Sequence, residues 1–67
     1  MLKIESEQDE DGRWIAEVAA LPGVLAYGKT KAEAAAKVKA LALRVIADRL
    51  ENGEQLPGEL AGVFEAA

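Results

Sequence analysis

The chain has 67 residues, which is enough for one small core and too few for a second domain with a core of its own. Cysteine and histidine are both absent, which removes disulfides, thiolate or imidazole zinc sites, and any triad built on a histidine base. The formal net charge is −4, and residues 1–17 hold six acidic side chains against two basic ones, which argues against direct phosphate binding there.

From Met1 to Glu7 apolar and polar residues alternate, with Leu2 and Ile4 on one face and Lys3, Glu5 and Glu7 on the other, the pattern of a strand wet on one side. Gln8 to Gly12 reads as a tight polar loop. Its Asp11-Gly12 pair is a hairpin signal, because both residue types tolerate positive φ. Arg13 to Ala19 is the returning strand, with Trp14, Ala16 and Val18 on one face and Arg13, Ile15 and Glu17 on the other. Trp14 is expected to anchor the core. Leu21-Pro22-Gly23 breaks the strand pattern, and Val24 to Gly28 resumes it as a third strand.

Thr30 to Gly53 then reads as one long amphipathic helix, about 22 residues and roughly 33 Å long. Thr30 and Glu33 have the spacing of a capping box, in which each side chain satisfies the other residue's backbone N–H. Gly53 supplies the left-handed position that ends such helices, with Arg49 near the negative end of the dipole. On a helical wheel Glu33, Lys37, Arg44, Asp48 and Glu51 form a polar side. Most of the remainder is apolar, from Ala34, Ala35 and Val38 through Leu41 to Val45, Ile46 and Leu50. One sheet covers less than that arc. The strip around Leu41, Leu43 and Leu50 is therefore left either for another chain or for Leu56 to Phe64 folding back.

Val63 to Ala66 has the length of a short fourth strand. The resulting order β-β-β-α-β predicts an α+β fold: an antiparallel three-strand meander, one helix, and a right-handed crossover placing the fourth strand beside the first, in sheet order 3-2-1-4. The small size and the uncovered strip favour a homodimer or higher homo-oligomer. Neither a signal-peptide pattern nor a membrane-length apolar run is present, so a soluble cytoplasmic protein is expected.

No catalytic constellation emerges. Gly23 to Thr30 matches the letters of a phosphate loop, but Val24, Leu25, Ala26 and Tyr27 between the glycines read as a buried strand rather than a phosphate cradle. Asp9-Glu10-Asp11-Gly12 begins like a calcium loop and lacks the later ligands. No enzyme, metal or cofactor is expected.

The joint pattern of the Asp9-Glu10-Asp11-Gly12 turn, the strand Arg13-Trp14-Ile15-Ala16-Glu17-Val18, Leu21-Pro22-Gly23, and Gly28-Lys29-Thr30-Lys31-Ala32-Glu33-Ala34 resembles the HicB-like antitoxin family over about residues 1–53. Ala19 stands near where that family often has proline, and Gln55 to Ala67 is too short for the C-terminal DNA-binding module of fuller members. The resemblance implies a partial ribonuclease-H-like domain, residues 1–67, that binds and masks a small basic HicA-type mRNA-cleaving toxin without itself contacting nucleic acid. In that role Glu7, Asp9, Asp11 and Glu17 would steer the partner, and Ile15 would offer an apolar contact. The alternative is a stand-alone, self-assembling domain of the same family without a toxin.

Overall fold

In the computed structural model, which describes residues 2–60 together with Gly62 and Phe64, three antiparallel strands are followed by one helix, an α+β fold. Strand β1 spans Ile4–Gln8, β2 Trp14–Val18 and β3 Leu25–Gly28, and helix α1 runs Lys31–Glu51. The sheet order is β1-β2-β3, so β2 is central and each of its neighbours is a meander partner. The fourth strand expected over Val63–Ala66 falls outside the described residues except for Phe64, which is in no strand and is exposed.

The two turns show why the chain reverses where it does. In the first, the Asp9 carbonyl accepts from Gly12 N–H at 3.1 Å, and Asp9 N–H donates to the Arg13 carbonyl at 2.8 Å. Gly12 has φ +87°, and no non-glycine residue among those described is left-handed. Asp11 therefore does not use the positive φ that its sequence context suggested. A glycine alone makes the bend, and Asp9 holds it. In the second turn the Leu21 carbonyl accepts from Val24 N–H at 3.0 Å, with Pro22 at the second position and Gly23 at φ +86° in the third. That is a type II turn, for which proline and then glycine are the matching residues. It drives Leu21 into the core, where it is fully buried.

Thr30 caps α1 through its hydroxyl oxygen, which accepts from Glu33 N–H at 3.0 Å. The return bond differs from a reciprocal capping box: the Glu33 carboxylate accepts from Lys29 N–H at 3.4 Å, not from Thr30. Lys37 Nζ lies 3.2 Å from the same carboxylate, and these two donors, Lys37 first, hold the Glu33 carboxyl below the usual glutamate range. At the other end Gly53 has φ +73°. Its N–H donates to the Leu50 carbonyl at 3.2 Å while Glu54 N–H donates to Arg49 at 2.8 Å, the paired bonds of a Schellman stop.

The core is built from small side chains. Ala16 and Val18 of β2 meet Ala34, Val38 and Ala42 of α1, with Leu21 and Val24 closing the turn end. Leu2, Ile4, Trp14, Ala26, Leu41, Val45 and Ile46 pack around them, partly buried. Trp14 thus flanks the core instead of filling it, with Lys31 Nζ 5.9 Å from its ring centroid. The alanines let the helix approach the sheet closely, and the buried stripe of α1 is narrower than the apolar arc of its sequence. Leu41 belongs to that stripe and packs on its own sheet. Leu43 and Leu50 stay outside it, 67% and 47% exposed. The described residues beyond α1 bury Leu60 but do not cover Leu43 or Leu50. No described helix is long and apolar enough to cross a membrane.

Candidate functional site: an acidic outer sheet face

Because α1 packs on one side of the sheet, strand alternation turns every second side chain to the other side. The register fixes which ones meet. Glu5 stands opposite Glu17, and Glu17 opposite Leu25. Glu7 stands opposite Ile15, and Ile15 opposite Tyr27. Two cross-strand rows result, each acidic at β1 and apolar at β3. Leu25 is 38% and Tyr27 44% exposed, while Ile15, at the centre of the second row, is half-buried. Arg13 borders this face with its guanidinium 4.9 Å from the Tyr27 ring centroid, a cation–π contact. A shallow open depression of about 230 Å³ lies over β1 and β2, lined by Glu5, Ser6, Glu7, Ile15 and Glu17.

The electrostatics of this face are unbalanced. Like charges directly opposite across a strand pair cost roughly 0.2–1 kcal/mol, and Glu5 and Glu17 are such a pair. Among the described residues no basic side chain forms an ion pair with Glu5, Glu7 or Glu17. Cationic groups brought by another molecule would relieve that repulsion.

Glu7, Ile15 and Glu17 therefore come together on the outer face. Asp9 and Asp11 do not join them, because both sit in the β1–β2 turn. Asp9 is half-buried and its carboxylate is occupied: Oδ1 accepts from Asp11 N–H at 2.9 Å and from Arg13 N–H at 3.0 Å, and Oδ2 lies 3.4 Å from Arg13 Nε. Its visible work is to shape the turn. Asp11 is exposed and lies 3.9 Å from Arg13 Nη2, a loose surface pair. Sequence reading left Glu5, Leu25 and Tyr27 out of the candidate site. Glu5 shares the parity of Glu7 and was accessible to the same alternation. The faces of Leu25 and Tyr27 follow only once Gly28 is placed against the helix. Among the described residues no cluster of three or more acidic, histidine or cysteine side chains is arranged to hold a metal ion.

The chain is similar to UPF0150 protein Ta0767 of Thermoplasma acidophilum, with 37% identity over 54 residues that cover 81% of this chain and 78% of the relative. No protein-family model matches the chain. No solved structure matches it.

Proposed function

Since the chain belongs to the UPF0150 family, a HicB-like family, we propose that it is an antitoxin-type binding module which masks a small, basic, mRNA-cleaving toxin of HicA type. It acts by binding and not by catalysis, as a single HicB-like domain of partial ribonuclease-H-like type working in the cytoplasm. The observation that carries this reading is the outer face: Glu5, Glu7 and Glu17, without cationic partners among the described residues, beside Ile15, Leu25 and Tyr27. A surface that binds RNA must present cations to phosphates, and the same cations fit this face. Carboxylates steer the encounter, and the apolar row at β3 excludes water from the contact. Arg13, stacked on Tyr27, marks the edge at which the acidic character ends.

Exposed Leu43 and Leu50 belong to α1, which packs on the other face of the sheet, and favour a second copy as their cover, which would leave the outer face open to the toxin. That is also the observation that favours the other reading, a self-assembling domain with no toxin.

The deciding experiment is co-expression with a small toxin-like protein encoded beside this chain. Relief of growth arrest and co-purification are expected. The triple reversal Glu5→Lys, Glu7→Lys and Glu17→Lys should keep the fold, because all three side chains are exposed, and should weaken binding by about a hundredfold or more. Persistent arrest with no co-purification of the unaltered chain would contradict the antitoxin reading.

A further inference from the structure

The last turn of α1 closes on a pair of residues that carries its own chemistry. Asn52 is the single asparagine of the chain, and Gly53 follows it. In such a pair the glycine nitrogen can attack the asparagine side-chain carbonyl carbon, because glycine has no Cβ to hinder the approach. A bond forms between Gly53 N and Asn52 Cγ, and the Cγ–Nδ2 bond breaks. The side-chain nitrogen leaves as ammonia, carrying the proton that Gly53 N gives up. Water then adds to either carbonyl of the cyclic imide and reopens it as aspartate or isoaspartate. The sum is amide plus water giving carboxylic acid plus ammonia, with no oxidant or reductant.

The helix C-cap holds this reaction off. Gly53 N–H donates to the Leu50 carbonyl at 3.2 Å and Glu54 N–H to the Arg49 carbonyl at 2.8 Å, so the nucleophile is occupied. The leaving group is occupied as well: Asn52 Nδ2 donates to the Asp48 carbonyl at 2.9 Å. Ring closure needs the Asn52 Cβ and the Gly53 nitrogen eclipsed about the Cα–C bond. With Asn52 ψ at 4° they stand roughly 120° apart, the separation of tetrahedral substituents. Turning that bond swings Gly53 N off the Leu50 carbonyl and undoes the bond from Glu54. Both Asn52 and Gly53 are exposed, so the protection comes from geometry and not from burial.

We propose that Asn52-Gly53 is a latent self-modification site gated by the C-cap of α1, and that its conversion to aspartate or isoaspartate locks the cap open. Opening and closing of a helix end are fast beside this chemistry, so the rate follows the fraction of time the cap is open. Conversion removes the Nδ2 donor and sets a carboxylate against the Asp48 carbonyl at the negative end of the helix dipole. Asp48, Glu51 and Glu54, close by in the chain, already place negative charge there. Isoaspartate also lengthens the main chain, which shifts the Gly53 and Glu54 donors off their carbonyls. The converted chain therefore favours the open cap, and the change is irreversible. The site is independent of the acidic outer face and of what binds there.

The test incubates the full-length chain in mildly alkaline buffer, folded and in concentrated guanidinium chloride, and follows the mass rise that replacing NH₂ by OH produces. Asp11-Gly12 can close the same ring by losing water, but it regains its mass on reopening, so it adds nothing to the rise. The rise, placed at Asn52 by fragmentation, should be about tenfold or more slower in the folded chain. Glu54→Pro deletes the donor to the Arg49 carbonyl while leaving Asn52-Gly53 intact, and should speed the folded-chain reaction by about threefold or more. Asn52→Asp copies one product. It should speed hydrogen exchange of the Gly53 and Glu54 amides by about threefold or more and leave the Val18 and Val38 amides unmoved. Equal rates in the folded and unfolded chain would overturn the gate. A folded Glu54→Pro chain that reacts no faster would overturn it too, since the protection would then lie outside the cap. Unaltered Gly53 and Glu54 exchange in Asn52→Asp would overturn the locking step. Should Glu54→Pro misfold, the folded-to-unfolded ratio and the Asn52→Asp exchange decide between these outcomes.

Discussion

Leu21→Ala is expected to leave the chain largely unfolded at room temperature. Leu21 is fully buried and is the largest side chain buried so completely, set at the end of a core otherwise made of valine and alanine. Truncating a buried leucine costs roughly 2–5 kcal/mol through lost transfer energy and the cavity left behind. A single core of this size supplies only about 3–5 kcal/mol in all. The small neighbours cannot collapse into the space, because Val18 and Val24 are fixed by the type II turn and its flanking bonds. Urea denaturation followed by far-ultraviolet circular dichroism reads the loss directly. Leu43→Ala, at an exposed site on the same helix that carries the core stripe, should move the midpoint by no more than about 0.5 kcal/mol in free-energy terms. Equal effects at the two sites would contradict the core described above.

Gly28→Ala is the second large effect, and its origin is a clash, not a cavity. A Cβ at Gly28 would meet Ala34 N at 2.5 Å, and Ala34 Cα and Glu33 C at 3.0 Å. All three are backbone atoms of the first turns of α1, so no side-chain rotation relieves the contact. The helix start would have to move off β3, carrying with it the Thr30 cap and the Lys29–Glu33 bond. Overpacking of this kind costs about 1–3 kcal/mol and more when backbone must shift. Thermal melting should drop by roughly 10 °C or more, given about 4–8 °C per kcal/mol for a domain this small. Gly58→Ala, with nothing within 4 Å and no left-handed φ, is the matched control and should be close to silent. A wild-type melt for Gly28→Ala would mean that α1 does not approach β3 as closely as described.

The elements whose signals are local were readable from the sequence. Thr30, Gly53, Gly12 and the Pro22-Gly23 pair each impose a backbone geometry on their own neighbours, and each sits where its chemistry predicts. Strand alternation placed Glu7, Ile15 and Glu17 on one face for the same reason. What failed depended on distant parts of the chain. The capping carboxylate of Glu33 chose Lys29 over Thr30, a matter of how the chain enters the helix from β3. Asp9 looked like a free charge and is instead consumed by the turn it closes. Leu41 looked like part of an uncovered strip, yet the crossing of helix and sheet brings it over the core while leaving Leu43 and Leu50 outside. Leu21 reads in the sequence only as part of the break at Leu21-Pro22-Gly23; the turn type shows that its side chain is driven inward. Tyr27 and Leu25 needed the cross-strand register before they could join the acidic residues.

Those corrections sharpen the functional account. With Asp9 and Asp11 assigned to the turn, the charges available to a partner are Glu5, Glu7 and Glu17, in register with Ile15, Leu25 and Tyr27. The sheet thereby separates two tasks. Its inner face is occupied by the helix and supplies stability, while its outer face contributes little to the core and is free to carry unbalanced charge. Its central claim is tested most directly by titrating the ¹⁵N-labelled chain with the toxin-like protein encoded beside it and mapping the amide shifts. Perturbation concentrated on Glu5, Glu7, Ile15, Glu17 and Tyr27, and fading as salt is raised, is the predicted result. Perturbation confined to Leu43, Leu50 and the outer side of α1, with the sheet amides unmoved, would contradict it.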